Sequence, residues 1–443
     1  MQKSLFDIIF LFSYNLSVRK HIERIFGLAT SGTARDTYVL FGGNVFAAFL
    51  GFLFTIVIAR ALTVSDFGVF SAAANLIAIL MSLSDLGLSS GIVNFVSYHI
   101  SRGETKTAEE YEKAAFIVKI VASSLLSLLV VIFAVFISKH WLATADKQIA
   151  YWVAVVSFTG LFWRFLPYML QAKKQFLKSV LIDIFVSFPK ALIPLVFVSL
   201  GILTVKTTLL AFEISVLIAG SVGLIFTGIN FMFAHTKKET YLNLTRFSSW
   251  LGFNRITSSI AGNLDVQMLA ALAGAVATGL YSIPAKLTAF LVILASSFSA
   301  VLAPRMAGFA DKSKEKTYII KATLVTLGIV FLILCWIIVA KPFILILFGQ
   351  KYLPSVPIFQ ALSASMIPFI LTVPSVTAII YGMKKTVFIG LFSFFQLAAI
   401  FSLNYFFIPK YGPFGPTLTY AITNTILAIY TWWIVIKYYW IDK

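Results

Sequence analysis

The sequence predicts an all-α integral membrane protein of about twelve transmembrane helices, and three observations carry that expectation. Hydrophobic residues make up 60% of the 443 and charged residues 12%, with a mean hydropathy of +0.94, whereas about a quarter of a soluble domain carries charge. Apolar runs long enough for about 30 Å of hydrocarbon, at 1.5 Å per residue, recur along the chain. Between them, basic loops alternate with nearly uncharged ones.

Residues 1–36 read as a retained cytoplasmic segment. The short apolar run Leu5 to Phe12 contains Asp7 and leads into Ser-Tyr-Asn, without the small-residue cleavage site of a secretory leader. Residues 4–28 mix Phe, Ile and Leu with Arg19, Lys20 and Arg24, which suits either an interfacial amphipathic helix or a tail. Six spans follow near 37–61, 67–98, 114–138, 149–170, 178–200 and 207–233, a first bundle over 37–233. After a linker at 234–246, six more lie near 247–273, 277–303, 318–340, 356–381, 386–408 and 415–438, a second bundle over 247–443. The loops between spans are too short to hold an extramembrane domain.

The Lys and Arg census orients these spans. One set of loops holds Arg102, Lys106 and Lys113; Lys173, Lys174 and Lys178; Lys237, Lys238 and Arg246; the stretch Arg305 to Lys321; and Lys384 with Lys385. The opposite set holds Arg60, Lys139, Lys147, Lys206, Lys341, Lys351 and Lys410, about one per loop. Both termini are expected on the cytoplasmic side. The net charge of +18 is dealt out in these small groups, so the continuous phosphate-neutralising surface that nucleic acid requires is missing. A single cysteine, Cys335, leaves no disulfide framework, and His21, His99, His140 and His235 show no ligand spacing, so no metal site is expected.

An internal repeat joins the halves. Phe67-Gly-Val-Phe-Ser-Ala-Ala-Ala-Asn75-Leu76 is similar to Thr278-Gly-Leu-Tyr-Ser-Ile-Pro-Ala-Lys286-Leu287 at an offset of 211 residues, with Gly68 matching Gly279 and Ser71 matching Ser282. Six helices per half keep both repeats in one orientation, which implies two bundles related by a pseudo-two-fold axis along the membrane normal, with substrate between them.

Ala59-Arg-Ala-Leu-Thr-Val-Ser-Asp-Phe-Gly-Val-Phe70, then Asp85-Leu-Gly-Leu88, Asn263-Leu-Asp265, Gly279-Leu-Tyr-Ser282 and Leu302-Ala-Pro304 occur in an order and spacing that resembles the polysaccharide-exporter (Wzx-like) branch of the MOP superfamily. That resemblance covers nearly the whole chain. It implies a MOP/MATE-like two-bundle fold with a central cavity, alternating access, and a polyprenyl-diphosphate-linked oligosaccharide as cargo. An O-antigen, capsule or exopolysaccharide unit flippase of the bacterial cytoplasmic membrane is the expected function. Beyond cargo and membrane lipids, a polysaccharide polymerase and chain-length machinery are candidate partners, and a monomer is expected.

Intramembrane charges supply the candidate site, because each costs about 2.5–3.5 kcal/mol at a helix centre unless a cavity or partner receives it. Arg255 lies about eight residues, roughly 12 Å, into the seventh span, and Asn44 holds the repeat-equivalent position in the first. A guanidinium facing Asn44 across the gap would suit a diphosphate; packing onto a neighbouring helix is the structural alternative. Asp265 and Lys286 flank the turn near 275 at similar depth, and Arg164 and Asp183 flank the loop near 175, so each pair is a candidate salt bridge, as glue or as gate. Lys190, two turns beyond Asp183, extends a polar stripe. Lys119 is expected to snorkel to the interface without a role. Asp85, Glu213 and Asp183 are candidates for coupling to a proton or sodium gradient, with no resident cofactor. Clusters at 430–433 and 438–440 fit an interfacial aromatic belt.

Two other functions compete. A MATE-like cation-coupled multidrug antiporter shares the implied fold, but residues 37–59 offer only Asn44 where that branch implies a carboxylate. A membrane glycosyltransferase or polymerase normally holds its acidic catalytic groups over a sizeable loop, and no such loop is present. A lipid II flippase would imply about fourteen helices.

Overall fold

The computed structural model describes residues 32–309 and 311–441. The N-terminal segment expected as an interfacial helix or tail lies outside them. Among the described residues every regular element is helical. The first half consists of α1 (Gly32–Ala61), α2 (Val64–Asp85), α3 (Leu88–Ser101), α4 (Thr105–Ile132), α5 (Ala134–Trp141), α6 (Lys147–Ala172), α7 (Phe176–Ser199) and α8 (Val205–Thr227). The second consists of α9 (Lys238–Ala307), α10 (Lys312–Ile338), α11 (Ala340–Phe348), α12 (Ser355–Ser365), α13 (Ile367–Thr377), α14 (Thr386–Tyr411) and α15 (Gly415–Ile436).

Ten runs among the described residues are long and apolar enough to cross a membrane. Two of them double back, which gives twelve segments of spanning length. The first reversal is at Gly274 within α9, where φ is +81°, a conformation open to glycine because it has no Cβ. Tyr281 donates a hydrogen bond to Asp265 at 2.6 Å across this turn; along a continuous helix those residues would stand roughly 24 Å apart. The second reversal is at Gly412, after which Tyr430 reaches the Phe388 carbonyl at 3.3 Å.

The span expected over 67–98 is interrupted. Leu86 and Gly87 both adopt left-handed backbone, with φ of 47° and 78°, and split it into α2 and α3. Local chemistry fixes the starts of several helices: Thr63 accepts from the Asp66 amide at 3.0 Å, Asp146 accepts from the Gln148 amide at 3.0 Å, and Thr204 with Thr207 forms a capping box. Outside the spans, a hydrogen bond from Lys206 holds the Asp146 carboxyl below its usual range and ties the starts of α6 and α8 together at 2.7 Å.

Loops of like charge density gather at the same end. Near the basic loops, Lys113 donates to the Ala234 carbonyl at 2.7 Å and Lys173 pairs with Glu112 at 2.7 Å. At the far end, Arg60 donates to the carbonyls of Ile346 and Leu347, and Lys351 donates back to the Arg60 carbonyl at 2.8 Å, joining the two halves.

The halves touch chiefly where α2 crosses α9. A Cβ added to Gly68 would overlap the backbone of Ala275 and Gly279, and one added to Gly279 would overlap Val64 and Gly68. Val64 and Ala275 are themselves 211 residues apart, so this contact is reciprocal under the repeat. The aromatic pair Phe54 and Phe70, with ring centroids 5.7 Å apart, likewise occupies the repeat positions of Asp265 and Tyr281. Between lipid-embedded helices, association depends on close backbone approach rather than expulsion of water, and paired glycines permit that approach. The break between α2 and α3 meets α9 again near the basic loops, where Gly87 and Gly252 face each other with no room for a Cβ on either.

Candidate functional site

The break after α2 creates the site. Because the chain turns at Leu86 and Gly87, Ser89 folds back and donates its hydroxyl to the carboxylate of Asp85. Lys119, fourteen residues into α4, reaches the same carboxylate at 2.6 Å with only 1% of its side chain exposed. Arg255 of α9 approaches from the other half, with Nη1 3.1 Å from Asp85 and Nη2 3.4 Å from the Tyr168 hydroxyl of α6. Unlike Lys119, it leaves 42% of its side chain exposed.

That exposure faces a cavity of about 340 Å³ lined by Asp85, Ser89, Arg164, Tyr168, Arg255 and Asn263. Two cations, Lys119 and Arg255, therefore pair with one carboxylate, and Arg164 adds a third positive charge to the cavity wall. Asp85 offsets part of the desolvation cost of its two partners, while the remaining positive charge needs water or an anionic ligand.

Asn263 also lines a second cavity, of about 630 Å³, with Asn75, Asp265, Tyr281, Lys286 and Tyr420. Asn75 and Lys286 are repeat-equivalent positions, and the fold brings them to one space. A third cavity, of about 270 Å³, is bounded by Thr55, Phe54, Phe70, Lys190 and Lys286. Lys190 sits 3.6 Å from the ring centroid of Phe212 and 4.8 Å from that of Phe54. Lys286 donates to the Thr55 hydroxyl at 3.3 Å and lies 5.6 Å from the Phe67 ring centroid.

Several expected pairings are replaced. Arg255 meets Asp85, not Asn44, which is exposed on α1; the reason is that α1 packs mainly on α7, while α2 lies against α9. Asp265 is held by the Val266 amide at 2.8 Å, Tyr281 at 2.6 Å and Tyr420 at 3.5 Å, so its lone pairs are occupied without Lys286. Asp183 accepts from the Trp163 indole at 3.0 Å, and Arg164 lies 5.1 Å from the ring centroid of that same Trp163, so the indole stands in for a direct ion pair. Glu213 accepts from Thr159 at 2.8 Å. Lys119 does not snorkel: Asp85 captures it inside the bundle. Its partner is thirty-four positions upstream, and no local spacing connects the two. The visible signal was a lysine within an apolar run together with a carboxylate at a Leu-Gly break.

The arrangement of twelve apolar segments, repeat-related halves and a charged cavity between them defines a multi-pass membrane protein of the MOP fold. It superposes on an inward-facing multidrug resistance MATE family transporter of the MOP superfamily with a TM-score of 0.68, at 13% identity over 88% of this chain and 94% of that one. It superposes equally on the lipid II flippase MurJ in an inward closed conformation, with a TM-score of 0.68, at 14% identity over 89% and 87%. Residues 33–310 match the family described as polysaccharide biosynthesis protein, and the chain belongs to that family. A Shigella flexneri protein bearing the name of an O-antigen transporter is 22% identical over 211 residues, 47% of this chain. The match spans about half, 49%, of that relative's length.

Proposed function

We propose that this chain is a flippase that carries a polyprenyl-diphosphate-linked oligosaccharide across the bacterial cytoplasmic membrane by alternating access, with both termini cytoplasmic. The observation that carries the reading is the cavity between the halves, where Arg255 and Arg164 face open space and Lys119 backs Asp85, the one carboxylate among the described residues of its lining. A diphosphate is the kind of anion that this excess of positive charge receives, and a guanidinium supplies paired, permanently charged donors for it. The sugar would occupy the adjoining 630 Å³ cavity, whose Asn75, Gln396 and Asn424 offer hydrogen bonds, while the lipid chain stays in the bilayer between the halves. Family membership and the named Shigella relative support the same cargo class.

Asp85 is the coupling candidate that this mechanism prefers. It shares Arg255 with the incoming phosphate, so a proton or cation reaching Asp85 would free the guanidinium and favour one access state over the other. Glu213 and Asp183 bond instead to uncharged donors.

Replacing Arg255 with Ala removes charge-assisted hydrogen bonds worth about 1.5–3 kcal/mol. In a host lacking its own copy, and at matched protein level, the Arg255→Ala variant is expected to abolish surface glycan and accumulate the lipid-linked unit. Normal export by that variant would remove the proposed site. Efflux of cationic drugs without glycan export would instead assign the multidrug function.

A further inference from the structure

The cavities form an ordered series with shared walls. Asn263 belongs to the Arg255 cavity and to the 630 Å³ cavity, and Lys286 belongs to the latter and to the Lys190 cavity. Phe52 and Phe290 in turn belong to the Lys190 cavity and to an apolar hollow of about 400 Å³ completed by Leu291, Leu332 and Trp336. This hollow opens on the outer surface of the bundle, where Leu332 is 63% and Phe290 48% exposed. Asn75 lines the 630 Å³ cavity beside Lys286, and Asp85 lines the Arg255 cavity. Ten residues of α2 separate them, which sets the two levels about 15 Å apart.

Lys190 and Lys286 form no ion pair with a carboxylate among the described residues. Aromatic faces and one hydroxyl are their partners, and cation–π contacts offset only part of the cost of placing two ammonium groups around one cavity. A phosphate between them would satisfy both. Bulk solvent does not account for the apolar hollow beside them, whereas a lipid bearing that phosphate fills the hollow and neutralises the lysines together.

We propose that Lys190 and Lys286 form a second phosphate station, on the side away from the basic loops, that holds the phosphate of a polyprenyl-phosphate lipid whose chain lies in the hollow between Phe52, Phe290 and Trp336. The proposal rests on the flippase reading for the identity of the lipid. It adds an order: the diphosphate loads at Arg255 and is handed about 15 Å along the lumen to the lysine pair before release.

The test counts bound lipid by native mass spectrometry on the purified full-length protein with a polyprenyl monophosphate as probe. Two lipids are expected on the unaltered protein, and one on Arg255→Gln or on the double variant Lys190→Gln with Lys286→Gln. Restoring charge with Lys190→Arg and Lys286→Arg should bring back the second lipid. Leu291→Trp, which fills the hollow without lining the lysine cavity, should lose it even if the double glutamine variant fails to fold. Two lipids on both the Gln variant and Leu291→Trp overturn the station, as does displacement of the second lipid by inorganic phosphate or phosphatidylglycerol. Efflux of cationic drugs without glycan export, with one lipid lost from the lysine variant, would overturn the flippase reading and leave the station standing, whereas normal glycan export by Arg255→Ala would remove only the Arg255 loading site.

Discussion

Asp85 shows how one buried carboxylate can organise charges from three helices. Its two cationic partners differ in environment: Lys119 is enclosed, while Arg255 keeps part of its guanidinium toward the cavity. Lys119 therefore anchors the carboxylate and Arg255 remains available to a ligand. Removing one member of a buried pair costs about 3–5 kcal/mol, because the other charge is left uncompensated. Lys119→Met is expected to approach that loss, softened by the Arg255 contact that remains. Adding Asp85→Leu to Lys119→Met should recover most of it, since neither charge then stays buried alone. Thermal unfolding of the purified variants measures both, and equal stability of Lys119→Met and the unaltered protein would show that the pair is not an anchor.

Glycine contacts set how closely α2 and α9 approach. At Gly68 and Gly279 each backbone occupies the space where the other's Cβ would lie, so any larger side chain must push the far ends of the two halves apart. In a Cys335→Ser background, which removes the sole native thiol, Gly68→Val is expected to speed labelling of Asn75→Cys by a membrane-impermeant maleimide added from the far side. Unchanged labelling would mean that this contact does not seal the lumen. The Gly274 turn makes a separate demand. Alanine there must adopt φ near +81° with ψ near −178°, a region essentially restricted to glycine, at a cost of about 1–3 kcal/mol. Low melting temperatures for Gly274→Ala, with an intact labelling pattern, would separate turn strain from gating.

Across the whole chain, the alternation of basic and sparse loops fits the folded arrangement, because loops of each class gather at one end of the bundle. Orientation in the membrane is a prediction of that charge asymmetry. Reporter fusions after Lys238 and after Lys385 should be active as cytoplasmic reporters, and fusions after Lys206 and after Lys351 as exported ones. Reversed activities would invert the direction in which the Arg255 cavity loads. A mixed pattern would break the count of twelve.

Span number, loop polarity and the repeat offset were all legible in amino-acid order, since each follows from a cost that a residue meets wherever its neighbours lie: apolar length against bilayer thickness, and lysine or arginine against translocation. Arg255 and Asp85 were visible as intramembrane charges for the same reason. Partner choice was not. Lys119 with Asp85, Arg255 with Asp85 in place of Asn44, and Asp265 with two tyrosines in place of Lys286 all depend on which helices lie side by side. A buried charge takes the nearest donor or acceptor in space, and helix packing sets that distance.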